Sequence, residues 1–548
     1  MNKKKFSLIA LLLVVAIVLV ACGNDDTVDE TTDPGIVNGG DENGVPDTWL
    51  VPEPLTLSLM APGMGHADWA DMPFWRYLAE VTGISFTFDN PPAGEDFNTA
   101  RNLALASGEI PDALFGAALT PSQQIEFGEA GTLIPLQDLI EDYAPNFSAF
   151  LADNPEVRAS ITAPDGNIYA LPQINRSREA LWIAGPLWYN GEHLDLLGFD
   201  AANGEVPLTL ADFDELMFRM RDELPALLNV DSVFPISDGW EMVWFRNWFI
   251  GTFGIANRAI QVTDGTVVHN ATTENYRAFL EHMRMYFEAG ILHPEIFTLS
   301  NDANGALVGD GRVGLFQSWY PQFPLGQTDE EGINNPMFHP LTSEWSSEPM
   351  IPVTFRMSPG QLAISSTNPN PGATLAFFDF FYSEAGGHFA QMGPQGYFWD
   401  YATNEAGEEV VVFGPAVDLA DGDARGRLVP FFGFPGPQIL FDLPVMFAPD
   451  DIDEEVDMSF DTFIRRETEN LEQHGVVPFP PSMLTAEEAA SIAEVNADIE
   501  SFITQWEAEF ISGVRPLNDD TWQEFLNNLN NIGVERVVEI NQTVYDRR

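Results

Sequence analysis

Cys22 is the only cysteine in the 548 residues, so no intrachain disulfide and no CxxC site can form. Lysine is almost as scarce: Lys3, Lys4 and Lys5 are the only three, and beyond them positive charge rests on arginine. A P-loop and a Schiff base both need lysine, so both are excluded from the remainder of the chain. Cations of either kind are few, with 24 Lys and Arg against 83 Asp and Glu and a formal charge of −59. Such a surface repels phosphate backbones, which excludes nucleic acid as a partner. The eight histidines are scattered and make no HExxH, and no GxSxG elbow occurs. Gly309 to Gly314, GDGRVG, matches GxGxxG but leads into the strand-like VGLFQSW instead of joining a strand to a helix. It carries no dinucleotide reading. The run Asp450, Asp451, Asp453, Glu454, Glu455 and Asp457 has oxygens for calcium but lacks the EF-hand spacing and glycine, and reads as a solvated acidic loop. No catalytic residue, metal ligand or cofactor site stands out.

Long apolar runs are also missing, except one. Phe6 to Ala21 follows the three lysines and ends in Leu19-Val20-Ala21-Cys22. A basic start and a short apolar stretch closing on a small residue make a signal peptide. The run is shorter than the roughly 20 residues a membrane span needs. Leu-Val-Ala-Cys reads as a lipobox: residues 1–21 are removed, and Cys22 is lipidated and holds the protein at the outer face of the cell membrane. Residues 22–48, rich in Asp, Thr and Gly without apolar periodicity, form a flexible acidic tether. Beyond it the length allows more than one globular domain and a large core. Arginine keeps its charge where lysine loses it, so the lysine-free composition fits an alkaline exterior, with a saline one as the alternative.

From residue 50 the pattern alternates. LTLSLMAP (Leu55 to Pro62) is strand-like, MPFWRYLAEVTG is a helix stopped by Gly83, ISFTF is a strand, FNTARNLALASGE a helix and DALFGA a strand. That order argues for a mainly parallel sheet flanked by helices. The C-terminal part is helical: Thr485 and Glu488 make a capping box, and Ile492, Val495, Ile499, Phe502, Ile503, Trp506 and Phe510 mark one face before Gly513.

Several segments in order resemble a known family. They are NLALASGEIPDALF (Asn102 to Phe115), GEAGTLIPLQDLIEDYAPN (Gly128 to Asn146), APDGNIYALP (Ala163 to Pro172), LWYNGEHLDLLGFD (Leu187 to Asp200), VPLTLADFDEL (Val206 to Leu216), GDGRVGLFQSWY, and the closing FISGVRPLNDDTWQEFLNNLNNIGVERVVEINQTVYDR. Together with the lipobox, they resemble the extracellular solute-binding proteins of family 1, lipoprotein receptors of sugar-importing ABC transporters, and within them the Gram-positive subgroup associated with oligosaccharide uptake. The family's short signature around Tyr189-Asn190 is only partly met, since Trp188 and Leu196 stand where other residue types are usual. The resemblance implies a two-lobed periplasmic-binding-protein-like fold of type II. The first α/β lobe would comprise residues 49–174 and about 358–398. The second would comprise about 175–357 and 399–548, with the C-terminal helices. Crossing strands would lie near Gln173 to Arg178 and Arg356 to Gly360, and hinge closure on a ligand would be the working motion. Implied partners are an oligosaccharide or other small solute and the permease subunits, with the receptor a monomer.

Sugars offer apolar faces and hydroxyls, met by flat aromatics and by Asp, Glu, Asn and Arg. On that chemistry and by the resemblance, the candidate ligand-binding residues are Asp112, Phe115, Gly116, Arg178, Trp240, Trp319, Tyr320 and Trp399. Asp112 also suits a turn cap. Trp244 and Trp248 look like the core side of a helix. Arg176, Arg178 and Arg356 near the crossings could fork onto a carboxylate, so a peptide or anionic solute stays open, as does a surface enzyme acting on carbohydrate.

Overall fold

The computed structural model describes residues 51–548, apart from 64–66, 183–184, 405–406, 408, 415–416, 418–424, 431–435, 445 and 447–458. Cys22, the tether and the acidic run at Asp450 to Asp457 lie outside the described residues. The strands that build the two main sheets are, in chain order, β1 (Leu55–Met60), β2 (Ile84–Asp89), β3 (Ala113–Phe115), β4 (Leu171–Asn175), β5 (Leu187–Tyr189), β6 (Phe234–Ile236), β7 (Val313–Gln317), β8 (Met357–Ile364) and β9 (Ile439–Leu440). The first sheet runs β9-β4-β8-β3-β1-β2 and the second β5-β7-β6. In the first, β8 is antiparallel to both its neighbours while β1, β2, β3, β4 and β9 share one direction. In the second, β6 is parallel to β7 and β5 antiparallel to it.

Local chemistry accounts for the elements around the first sheet. Pro73 opens the helix Pro73–Thr82, and Gly83 closes it in the left-handed conformation (φ 75°) that glycine adopts without strain. Phe74, Trp75 and Leu78 are its buried face. Trp69, Phe115, Phe377, Phe378 and Phe381 complete an aromatic core behind the sheet. Asp379 is buried beneath it. Its carboxylate accepts from Asn146 N (3.0 Å), Phe147 N (2.8 Å) and Asn146 Nδ2 (2.9 Å), capping the helix Pro145–Asp153 from 232 residues away. Burial nonetheless pushes its pKa up to about 6.

A second core, separate from the first, runs from Leu181 to Val353 and from Phe463 to Val537. The C-terminal helices belong to it. The capping box forms as expected, Glu488 N donating to Thr485 Oγ1 and Thr485 N to Glu488 Oε2, and Ile492, Ile499, Ile503, Trp506 and Phe510 are buried. Glu507 on the same helix is buried between Arg246 (2.5 Å), Arg258 and the Tyr276 hydroxyl (2.6 Å). Burial would raise its pKa, and the two guanidinium groups outweigh burial and hold it low.

The chain leaves the first core after Ile174, is back in it by Leu362, and leaves again after Ile439. At the first two passages the segments lie side by side, with Asn175 N donating to the Arg356 carbonyl (2.8 Å). Arg356 there has φ 58°, a left-handed backbone uncommon for arginine. The expected division assigned residues 399–548 wholly to the second lobe. Val429 and Ile439 instead pack in the first core, because β9 extends the first sheet alongside β4.

Candidate functional site

Two parallel strands of the second sheet aim their loops in one direction. Ile236 of β6 pairs with Leu315 of β7. Four residues beyond each of these partners stands a tryptophan, Trp240 and Trp319. They are 54% and 55% exposed in a chain whose other large aromatics are mostly buried. The carboxyl ends of strands in open α/β sheets are where ligands bind.

Trp319 rests on a layered aromatic base. Trp182, 3% exposed, lies 6.0 Å from it at a 35° tilt, and Trp182 in turn meets Trp188 edge-on at 6.5 Å and Tyr320 at 6.0 Å. Trp188 donates from Nε1 to the Ser318 carbonyl (2.9 Å), fixing the peptide just before Trp319. Tyr320 is half-buried and packs on Phe460 and Phe323, the latter strongly exposed. One face of Trp319 is thus backed by protein and the rest is open, the geometry of a stacking platform.

Trp240 stands on a second platform, with Trp244 edge-to-face at 5.7 Å. Beside it is a depression of about 290 Å³ lined by Gly239, Trp240, Glu241, Phe297, Thr298, Leu299 and Asn301. Trp244 is half-buried and Trp248 fully so; of the two, only Trp248 joins Phe245 and Phe249 as a core residue of the helix Val243–Phe249. Among the described residues no ring contact joins Trp240 to Trp319. The two platforms are separate stations on one edge.

The other candidates fare differently. Asp112 sits at the amino end of β3, away from the carboxyl edge. Its Oδ2 accepts from Ser58 N (2.7 Å) and Ser58 Oγ (2.8 Å), while its own N–H donates to Ser58 Oγ (2.9 Å). Its place in a ligand site is corrected to that of a clasp between β1 and β3. Phe115 is corrected as well: it is fully buried, edge-on to Trp69 at 5.5 Å and near Phe378 at 5.9 Å, so it belongs to the core. Gly116 is buried at the carboxyl end of β3 with φ 57°. Arg178 lies in the turn Arg178–Leu181 between the two cores, and its side chain is outside what the structure describes. Trp399 begins a hairpin (Trp399–Thr403 with Glu409–Phe413), half-buried against Tyr401, its Nε1 donating to the Gly393 carbonyl (3.0 Å). Among the described residues it shares no ring contact with Trp240 or Trp319.

Trp182 and Asp238 are the neighbours that sequence reasoning missed. Trp182 lies 137 residues before Trp319, and no motif links them. Asp238 had a readable signal, an Asp two residues before Trp240 in SDGW, the spacing of an Asx-turn. Arg176 and Arg356, flagged for a carboxylate, sit at the crossing. Arg176 lies over the Phe150 ring (5.2 Å) and Arg356 pairs with Glu472 (2.9 Å). Among the described residues no group of three or more His, Cys, Asp or Glu side chains is arranged for a metal ion, and no helix is long and apolar enough to cross a membrane.

FusA, the fructooligosaccharide ABC transporter substrate-binding protein of Streptococcus pneumoniae serotype 4 (strain ATCC BAA-334 / TIGR4), is 25% identical over 573 residues, covering 100% of this chain and 99% of that one. The structure of S. pneumoniae FusA in complex with kestose superposes with a TM-score of 0.63 at 22% identity, over 90% of this chain and 99% of that one. An extracellular solute-binding protein from Bifidobacterium longum subsp. infantis does so with a TM-score of 0.70 at 19% identity, over 90% and 98% of the two chains. These likenesses agree with two α/β cores joined by crossing segments. Residues 65–388, more than half of the chain, match the family described as bacterial extracellular solute-binding protein, and the chain belongs to that family.

Proposed function

We propose that this protein captures an oligosaccharide between its two lobes and delivers it to the permease of an ABC importer. The observation that carries this is the pair of exposed tryptophans, Trp240 and Trp319, at the carboxyl ends of adjacent parallel strands. Two separate flat faces on one edge suit a ligand with more than one ring. The relative named as a fructooligosaccharide receptor spans the whole chain and supports the same substrate class. The first lobe would comprise residues 51–174, about 358–398 and the stretch around Val429 to Leu440. The second would comprise about 175–357 and the C-terminal helices. Ligand touching both lobes would favour the closed arrangement. The family to which the chain belongs is one of solute-binding proteins, which supports a receptor that binds its sugar and releases it unchanged. The lipid on Cys22 would hold this monomeric receptor on the outer face of the membrane, next to its permease, with the acidic tether as spacer.

A thermal-shift screen tests this. Kestose, longer fructooligosaccharides and other oligosaccharides should include at least one that raises the melting temperature, as any ligand confined to the native state must. Prolonged incubation should leave that sugar intact. Product formed at catalytic turnover, or a screen in which only peptides or anionic solutes stabilise the protein, contradicts the proposal.

A further inference from the structure

The loop after β6 carries more constraint than a connector needs. Glu241 (φ 53°) and Met242 (φ 64°) are consecutive non-glycine residues in the left-handed region, which side chains enter at a steric cost. Nowhere else among the described residues do two such residues adjoin. Met242 is fully buried in the second core, while Trp240, two positions earlier, stands out into solvent. Backbone strain of this kind persists only where the surroundings over-determine it.

Asp238 supplies that determination. It is 2% exposed. Its Oδ1 accepts from the main-chain N–H of Trp240 (2.7 Å) and its Oδ2 from that of Phe245 (2.9 Å). One carboxylate therefore bridges both sides of the strained pair, from the loop to the first turn of the helix Val243–Phe249. The Ser237 hydroxyl, donating to Asn304 Oδ1 (2.6 Å), adds a second restraint. Gly239 lets the loop pass close to Asn301, whose Oδ1 would lie 2.6 Å from a Cβ at that position. Burial raises the pKa of Asp238, opposed by the N–H groups it accepts from and by Arg246. The carboxylate is buried, with each oxygen turned to an N–H of its own loop, and so is not presented to a ligand. What the loop presents is Trp240.

We propose that Asp238 is a positioning residue: it holds the strained 238–245 loop so that Trp240 is fixed in its stacking attitude before ligand arrives. Preorganisation of this kind raises affinity by removing the ordering cost from the binding step. The inference rests on the reading of Trp240 as a sugar platform, and its first test needs no sugar.

The edge-to-face pair Trp240–Trp244 should contribute a near-ultraviolet circular dichroism signal, read as the difference between wild type and Trp240→Phe without ligand. Asp238→Asn keeps the shape but offers only one accepting oxygen, so one of the two N–H groups loses its partner. Asp238→Asn should lose that signal, weaken kestose binding tenfold or more, and show no further loss when combined with Trp240→Phe, because coupled residues are not additive. An Asp238→Asn protein that melts lower yet keeps the signal and binds kestose as wild type does overturns the proposal. Where Asp238→Asn does not fold, Glu241→Gly asks the same question, since glycine enters the left-handed region freely. It should leave melting unchanged or raised while the signal weakens. Lowered melting with the signal intact overturns the proposal. If wild type binds neither kestose nor any other oligosaccharide, the sugar reading fails while the dichroism result still decides the role of Asp238.

Discussion

Replacing Trp319 with alanine separates a platform from a core residue. A tryptophan side chain offers up to roughly 250 Å². Since Trp319 is 55% exposed, about 110 Å² of that is already covered, by Trp182 and its neighbours. At about 25 cal/mol per Å² the truncation costs folding at most about 3 kcal/mol, and less once the denatured chain's own burial is counted. About 140 Å² is left in solvent. A sugar ring stacked on the open face would cover about half of it, worth about 2 kcal/mol, or roughly a thirtyfold loss of affinity on truncation. Trp188, fully buried beneath it, is the contrasting case: Trp188→Ala should cost folding about 3 to 5 kcal/mol or more. Calorimetric titration with the stabilising oligosaccharide and urea unfolding of both variants give the two numbers for each. A Trp319→Ala protein as destabilised as Trp188→Ala, with its folded fraction binding normally, would refute the platform.

Cys22→Ser should remove the lipidation site, so that the protein is released into the medium or stalls unprocessed. Membrane fractions that retain it fully, with normal signal cleavage, would contradict the lipobox. Glu507→Ala should cost about 3 to 5 kcal/mol in urea unfolding, because the buried Arg246 would lose its ion-pair partner and Arg258 would keep only the exposed Glu500; a loss below about 1 kcal/mol would show the network to be dispensable. Burial lowers the pKa of His193 to about 4, against about 6.5 when unfolded. The unfolded state therefore takes up a proton first, and this contribution to stability is present above about pH 6.5 and lost as the pH falls toward 4. His193→Gln does not titrate, so its stability deficit relative to wild type should shrink by about 2 to 3 kcal/mol between pH 7 and 4.5, at about 1.4 kcal/mol per unit. A deficit independent of pH would contradict this.

The alternation of elements was legible because it rests on local chemistry. The helix Pro73–Thr82 with its Gly83 stop and the Thr485–Glu488 capping box both carry their signals within a few residues. Trp240 and Trp319 were legible for a related reason, since each follows a short apolar strand that turns polar. What escaped was non-local. β9 is two residues long, has no periodicity to read, and finds its partner β4 far away in sequence. Asp112 looked available for a hydroxyl, but Ser58, 54 residues away, donates twice to its Oδ2 and ties it to β1. Phe115 ends a strand at what looked like a rim, and only the packing of Trp69 and Phe378 reveals which face it occupies. Trp182 supports Trp319 across a gap that no single-sequence pattern spans.

The central claim is that one oligosaccharide binds between the lobes on the two tryptophan platforms. Its most direct measurement is calorimetric titration of the sugar that stabilises wild type into wild type and into a Trp240→Ala/Trp319→Ala double variant. Binding of one sugar per wild-type chain, with no detectable heat from a double variant that remains folded, is the expected result. Undiminished binding by the double variant would contradict the account.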